Sequence, residues 1–375
     1  MDKLYITGKL AAIMFLLVTG TLILNAQSAR QYFRAGEEFF GTQNYRDAIE
    51  QYSKAIDLDP DFDKAYIQRA LCFTRLKDYE KAAADFVRAI VFNDKDAGLF
   101  YFAGQAYHLH GKDQMALTHL DRAIELKSNY LEAFQVRSEV YYQLERYQEA
   151  LEDCKRCLKL KEDERGFYNL AQVYEKLGMY PEAEMAYRNS IGKNRTVVGT
   201  HYALASMLHR QGNQQGALQA VQQVLQLEPK NLEGLILQSQ VLAAQGNYPR
   251  AIEALSLASI DYPREPSVFL NRGDFYMLMN QGAFAVIDYS RVLELDPEFA
   301  QVYYKRAEAY EAIMDYEKAL KDYERLLAMS KYDGTAQQLH EQATLRMFEL
   351  NREDDRPQVT LLDPRSNSDD TVDIP

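Results

Sequence analysis

The stretch YFRAGEEFFGTQNYRDAIEQYSKAIDLDP, residues 32–60, decides the fold because its pattern returns along most of this 375-residue chain. Its alanine at position 48 recurs at seven spacings of 34 residues and one of 33. The nine members of the series are Ala48, Ala82, Ala116, Ala150, Ala183, Ala217, Ala251, Ala285 and Ala319. A fixed period of about 20 to 50 residues is typical of proteins built from copies of one supersecondary unit. The sequence therefore predicts an array of nine units.

Further columns keep the same register when each alanine is taken as position 20 of its unit. Position 8 is small in every copy and position 11 is large and apolar, as in Gly36 and Phe39. Side chains at spacings of three, four and seven residues share one face of a helix. Near position 15 the pattern breaks at glycine or short polar residues, which end helices. Each unit is therefore predicted to be a helix, a short turn and a second helix.

These columns resemble the tetratricopeptide repeat (TPR) family over roughly four-fifths of the chain. The first copy carries the pattern in Tyr32, Ala35, Gly36, Phe39, Ala48, Tyr52, Ala55 and Pro60. The chain departs from the family in having no Trp, so that Tyr or Phe takes the usual Trp column. The resemblance implies an all-α fold, a right-handed superhelical solenoid of helix-turn-helix repeats with a C-terminal capping helix. It also implies that positions 2, 5, 9, 12 and 13 of each first helix line a concave groove.

The predicted organisation has four parts. Residues 1–28 are predicted to be a signal peptide, residues 334–352 a capping helix and residues 353–375 an extended or disordered tail. The repeats are predicted at 29–62, 63–96, 97–130, 131–163, 164–197, 198–231, 232–265, 266–299 and 300–333. For the tail, the alternative is a strand that docks on a partner's sheet.

The N-terminal segment has the layout of a secretory signal peptide. Lys3 and Lys9 flank a mostly apolar run, Leu10–Leu24, and the residues between Ala26 and Ala29 offer a cleavage site. This run of about 15 residues is short for a membrane span of about 20. We therefore expect an exported protein, periplasmic or envelope-associated, with no membrane span after cleavage. The alternative is an uncleaved N-terminal anchor.

Charge and cysteine content restrict the class of function. A net charge of −12 and a pI of about 5.1 disfavour nucleic acid as a partner, since phosphate binding relies on clustered Lys and Arg. Cys154 and Cys157 form a C-x-x-C pair, but they occupy positions 24 and 27, where other units carry packing residues. We interpret them as core side chains, with a redox or metal site as the alternative. Cys72 stands alone in the sequence.

A pair of opposite charges travels with the repeat. Position 7 is Arg in four units, and the same four units carry Asp at position 23. The pairs are Arg69 with Asp85, Arg137 with Asp153, Arg272 with Asp288, and Arg306 with Asp322. A fixed offset of 16 residues predicts a partly buried bridge that clips the two helices of one unit. Ligand binding by the arginines is the alternative.

Position 5 carries an apolar ladder on the face that the resemblance assigns to the groove. The residues predicted to contact a bound peptide, called the groove ladder here, are Phe33, Ile67, Tyr101, Tyr168, Tyr202, Ile236, Leu270 and Tyr304. The alternative is that they pack partly against the next unit. A basic stretch on the same face is interpreted first as a solvated surface, with a site that receives an acidic or C-terminal carboxylate segment as the other interpretation. Its members are Arg165, Lys176, His209 and Arg210.

The sequence contains no phosphate-binding loop, nucleophile motif or metal-ligand spacing, so neither catalysis nor a cofactor or metal is expected. Position 9 also lacks the Asn with which some TPR proteins hold acidic chaperone tails. The leading hypothesis is a non-catalytic scaffold of the bacterial cell envelope that binds a peptide or protein segment along its groove. The alternative is a structural subunit of a larger envelope assembly, such as a secretion or surface-assembly complex, docked through its convex face and tail.

Overall fold

The computed structural model describes residues 27–330 and 337–354 of the chain. Nineteen helices and no strand occur within these residues. The predicted signal peptide and tail lie almost wholly outside them. None of the helices in the described ranges is long and apolar enough to cross a membrane.

The helices alternate between the first and the second member of each unit. The first helices are α1 (27–41), α3 (Asp63–Arg75), α5 (Ala97–Leu109), α7 (Leu131–Gln143), α9 (Glu164–Lys176), α11 (Val198–Arg210), α13 (Leu232–Ala244), α15 (Pro266–Leu278) and α17 (Ala300–Ala312). The second helices are α2 (Tyr45–Leu58), α4 (Tyr79–Phe92), α6 (Asp113–Leu126), α8 (Tyr147–Leu160), α10 (Tyr180–Lys193), α12 (Gln214–Leu227), α14 (Tyr248–Asp261), α16 (Gly282–Leu295) and α18 (Tyr316–Ser330). The last helix is α19 (Gln337–Asp354). This succession of helix pairs is the predicted all-α TPR solenoid fold.

Close approach of the two helices explains the small columns. All nine alanines at position 20 are fully buried. At position 8, a Cβ added to Gly36 would lie 2.5 Å from the ring of Tyr52, and one added to Gly273 would lie 2.7 Å from the ring of Tyr289. Because the large side chain at position 24 fills the space over position 8, only a small residue fits there.

Each unit turns at position 15 in the same backbone conformation. The φ angle lies between 57° and 78° at all nine residues of this column. The next backbone N–H then bonds to a carbonyl five residues earlier, as in Asp78 to Phe73 at 2.9 Å and Lys112 to Tyr107 at 2.8 Å. This left-handed ending satisfies the free carbonyls of the helix. The column comprises Gln43, Lys77, Gly111, Glu145, Gly178, Gly212, Gly246, Asn280 and Met314.

The single 33-residue spacing is a shortened connection between units. Three residues, 161–163, separate α8 from α9, whereas four separate the other neighbouring units. Asp163 caps the following helix, and its side chain accepts a hydrogen bond from the Gly166 amide at 2.9 Å. A side-chain cap thus starts α9, as Asn231 does at the start of α13 after a connection of ordinary length.

The described residues form two compact bodies, which divide between Arg195 and Thr196. The N-terminal body contains α1 to α10 and the C-terminal body contains α11 to α19. In the C-terminal body, α19 packs on α18, where Ala343 and Leu350 are buried against Tyr323 and Leu326. The last helix thus covers apolar side chains that another unit would otherwise bury.

Candidate functional site

All eight residues of the groove ladder are half-buried. In the N-terminal body, the ring of Phe33 lies 4.9 Å from that of Phe62, and the ring of Tyr101 lies 5.2 Å from that of Tyr130. Phe62 and Tyr130 lie in the connections to the next unit, so the rings of Phe33 and Tyr101 pack partly between units. In the C-terminal body, Tyr304 lies 5.6 Å from the ring of Tyr323. The ladder side chains therefore contribute to packing and also leave apolar surface on the groove face.

The basic residues differ in what they contact. Arg165 on α9 donates to the carboxylate of Glu139 at 2.9 Å; the arginine side chain is 67% exposed and that of Glu139 is 40% exposed. Lys176 places its ammonium 6.0 Å from the centre of the Tyr142 ring. The charge of Arg165 is thus already shared with a neighbouring unit.

His209 and Arg210, at the end of α11, belong to the C-terminal body. The Nδ1 atom of His209 lies 2.7 Å from the side-chain oxygen of Gln214. Gln214 also donates to the backbone carbonyl of His209 at 3.2 Å. His209 is therefore fixed across the turn of its own unit.

Carboxylates on the groove face of the C-terminal body are held by buried tyrosines. The Tyr289 hydroxyl donates to Asp274 at 2.7 Å, and Lys305 of the next unit donates to the same carboxylate at 2.7 Å. The Tyr323 hydroxyl donates to Glu311 at 2.6 Å. Burial, reinforced by these carboxylates, raises the pKa of both tyrosines far above the ordinary value, so that both remain neutral donors.

A polar cavity of about 420 Å³ lies between the last unit and α19. Arg346 of α19 reaches Glu311 there, with its Nε atom 2.8 Å from the carboxylate. Glu308 also lines this cavity, and burial together with the charge of Glu311 raises its pKa. The arginine thus neutralises one of the two acids that face each other.

A second cavity, called the apolar pocket here, opens on the groove face of the first three units. Its volume is about 200 Å³. The repeat pattern does not predict this pocket, although Phe40, Leu71 and Leu109 put apolar side chains in columns 12, 9 and 13. The pocket is lined by Phe40, Leu71, Thr74, Arg75, Phe86, Phe102, Gln105, Ala106 and Leu109.

The four Arg–Asp pairs meet in the same two-bond geometry. In each, the arginine Nε and Nη2 atoms donate to the two carboxylate oxygens at 2.7 to 2.8 Å. The arginine side chains are 15 to 19% exposed and the aspartates 3 to 10%. Paired bonds of this kind fix orientation as well as charge. The structure therefore places each pair as a clip between the two helices of one unit.

Each of these arginines also binds the preceding unit, a contact that was not predicted from the sequence. The Nη1 atom donates to the residue 16 positions earlier, at 2.7 to 3.2 Å. These acceptors occupy position 25 and are Ser53, Asp121, Ser256 and Ser290. The signal was present in the sequence, because position 25 is Val, Lys, Arg or Gln before a unit that lacks the arginine. The three-residue arrangement therefore joins successive units.

The cysteines are buried and free. Cys154 and Cys157 lie on α8 at 3% and 4% exposure, and Cys72 is fully buried. Burial raises the pKa of Cys154 and Cys157 to about 12 and that of Cys72 to about 11. Within the described ranges, no group of three His, Cys, Asp or Glu side chains is arranged to hold a metal ion.

Known proteins share this repeat. Sequence models of the tetratricopeptide repeat match residues 33–98, 168–232 and 285–334, and two further models of it match 208–269 and 131–164. DnaJ homolog subfamily C member 7 of Mus musculus is 22% identical over 357 residues, covering 88% of this chain and 72% of that protein. Hsp70-Hsp90 organizing protein of Triticum aestivum is 25% identical over 243 residues, covering 63% and 41%.

Among solved structures, YrrB, a TPR protein with an unusual peptide-binding site, is similar with a TM-score of 0.43 at 24% identity. The likeness covers 50% of this chain and 96% of YrrB. The matched segments fall on the helix pairs described above. The chain belongs to the tetratricopeptide repeat family, whose members are generally non-catalytic scaffolds for protein–protein interaction.

Proposed function

We propose that the chain is a scaffold of the bacterial cell envelope that binds a peptide or protein segment along its groove face. The half-buried groove ladder is the observation that carries this proposal. Aromatic side chains whose orientation is fixed by packing, with one edge accessible, offer contact area at little cost in side-chain entropy. A bound segment would cover that remaining surface without rearranging the fold.

The groove proposal is tested by placing a photo-crosslinking amino acid at Tyr101 or Tyr168 and illuminating intact cells. The matched control carries the same group at Glu152, a 68% exposed residue on a second helix. We expect a defined crosslinked partner from the ladder positions and not from Glu152. Tyr101→Ala should weaken the same partner while leaving the circular dichroism spectrum unchanged. Crosslinks that form at Glu152 alone would contradict groove binding.

The envelope location rests on the N-terminal sequence pattern, which lies outside the described residues. The location is tested by fractionating the native cells, isolating the protein and determining its N-terminal residue by mass spectrometry. We expect a mature chain that starts between Ala26 and Ala29 in the envelope or periplasmic fraction. An intact Met1 in the cytosolic fraction would contradict export.

One observation favours the alternative, a subunit that docks through the outward face of its second helices. Four large apolar side chains on α14 and α16 are 54 to 75% exposed: Leu257, Ile260, Phe284 and Ile287. In the first unit the same columns hold Asp47, Glu50, Lys54 and Asp57. Large exposed apolar patches mark contact surfaces, whereas single exposed apolar residues are ordinary on a protein surface.

The alternative is tested with Ile260→Lys and Ile287→Lys, which leave the groove face untouched. If the outward face is the main contact, these changes and removal of the residues after 353 should release the native complex. Tyr101→Ala should then have no effect. The groove proposal predicts instead that Tyr101→Ala weakens partner binding and that the changes on the outward face do not.

A further inference from the structure

The apolar pocket has a rigid floor. Phe86 is 1% exposed and Ala106 is 2% exposed. The rings of Phe86 and Phe102 stack with their centres 5.5 Å apart and their planes 18° from parallel. Close-packed aromatic side chains of this kind resist displacement, so the floor of the cavity is already formed on the groove face of the first three units.

The size of the pocket suits one bulky side chain. An apolar cavity of about 150 Å³ accommodates benzene, and this pocket measures about 200 Å³. Its Thr74 hydroxyl already donates to the Ala70 carbonyl at 2.9 Å. The threonine therefore leaves no unsatisfied donor in the pocket, and the lining favours an aromatic or branched aliphatic occupant.

The rim of the pocket is open and carries one cation. Leu109 is 47% exposed, and Arg75 is exposed at the end of α3. Arg75 is the only charged residue among those that line the pocket. Within the described ranges, no carboxylate lies within 4.0 Å of its guanidinium. An arginine in this position can take a carboxylate in two parallel hydrogen bonds.

We propose that the apolar pocket selects, within the bound segment, a bulky apolar residue that stands next to an acidic one. The apolar side chain fills the cavity over Phe86 and Phe102, and the neighbouring carboxylate pairs with Arg75. This inference rests on the proposed groove function and specifies the chemistry of its ligand. It assigns the recognition step to the N-terminal body.

The test is selection of a phage-displayed random heptapeptide library on the full chain, followed by titration of the enriched peptides by fluorescence anisotropy. Three variants are compared with the wild type: Thr74→Phe, which fills the cavity, Arg75→Glu, which reverses the rim charge, and Arg46→Glu. The last makes the same charge change at an exposed arginine that does not line the pocket. Thermal unfolding of each variant confirms that it is folded.

We expect the enriched peptides to contain Phe, Leu or Tyr beside Asp or Glu. Thr74→Phe should weaken their binding at least about tenfold, since the buried side chain loses its site. Arg75→Glu should weaken it several-fold and reduce its dependence on salt, and Arg46→Glu should leave it unchanged. If Tyr101→Ala or Tyr304→Ala abolishes peptide binding while Thr74→Phe and Arg75→Glu leave the affinity unchanged, this inference is wrong and the groove function still holds. If no substitution on the groove face changes the affinity of the enriched peptides, both the pocket inference and the groove function are wrong.

Discussion

Arg137 and Asp121 form an ion pair across the boundary between the third and fourth units, with Nη1 and Oδ1 2.7 Å apart. The same guanidinium binds Asp153 of its own unit through its two other nitrogens. Burial opposes the charged form of the arginine, but the two carboxylates outweigh it and raise its pKa. One side chain therefore fixes the angle within a unit and the contact between units.

The two carboxylates around Arg137 should differ greatly in their contribution to stability. Asp153 is 6% exposed and Asp121 is 48% exposed. Asp153→Ala leaves a buried arginine with Asp121, a half-exposed carboxylate, as its remaining acidic partner, which we expect to cost about 3–5 kcal/mol. Asp121→Ala should cost about 0–1 kcal/mol. Urea unfolding followed by circular dichroism measures both, and partner binding should be intact in each variant. Equal effects of the two substitutions would show that burial does not set the strength of the bridge.

Met314→Gly should stabilise the last unit. Met314 has a φ of 62° and is 77% exposed, so its side chain contributes little packing while its backbone is in a strained region. The left-handed conformation costs a non-glycine residue about 1–2 kcal/mol, partly offset by the larger entropy of glycine in the unfolded chain. We expect a gain of about 0.5–1 kcal/mol in calorimetry. The reverse change, Gly111→Ala at a φ of 77°, should destabilise by a similar amount. A loss on Met314→Gly would refute this account of the turn.

The cap at the shortened connection should make stability depend on acid. The Asp163 carboxylate is partly desolvated, but bonds to the Gly166 amide and Lys161 lower its pKa. A lowered folded pKa means that its stabilisation is present above the unfolded value of about 3.9 and is lost as the pH falls through the folded pKa. Asp163→Ala should therefore cost about 0.5–2 kcal/mol at pH 7. The difference in melting temperature between wild type and variant should shrink when melting is repeated at pH values below about 4. A gap that widens in acid would contradict this sign.

The three cysteines should resist thiol reagents while the chain is folded. Their pKa values of about 11 to 12 leave about one thousandth or less of each as the reactive thiolate at pH 8. We expect iodoacetamide followed by mass spectrometry to find no modification of Cys154 or Cys157 in buffer and complete modification in concentrated urea. Rapid labelling of Cys154 in the native state would instead favour the redox interpretation of the C-x-x-C pair.

Sequence periodicity was enough to predict the helix pairs. The informative columns are local in the chain: Ala48 and its equivalents, the small residue at position 8 and the break at position 15. Each of them reflects the packing of one helix pair or the conformation of one turn. It was also enough to pair Arg69 with Asp85, because both members recur at one offset. It did not show that Gln43 and Lys77 share the backbone conformation of the glycines in their column, because side-chain identity reports that conformation only where glycine is present.

The groove face could be predicted only as a column. Tyr101 and its equivalents were placed on it by register, yet how much of each ring stays exposed depends on residues at the next connection, such as Tyr130. The apolar pocket depends on Phe40, Leu71 and Leu109 from three units at once. None of these is unusual within its own helix.

By itself, the sequence determined that this protein is a stack of repeated helix pairs. The reason is that a small residue on one helix and a large residue on the next, repeated at a fixed spacing, pack together only when the two helices of a unit lie side by side. Tertiary structure decided which side chains meet between units. A guanidinium has five donors, and which acceptor takes each of them depends on how adjacent helices are placed. A cavity likewise exists only where the volumes of several neighbouring side chains fall short of the space between their helices.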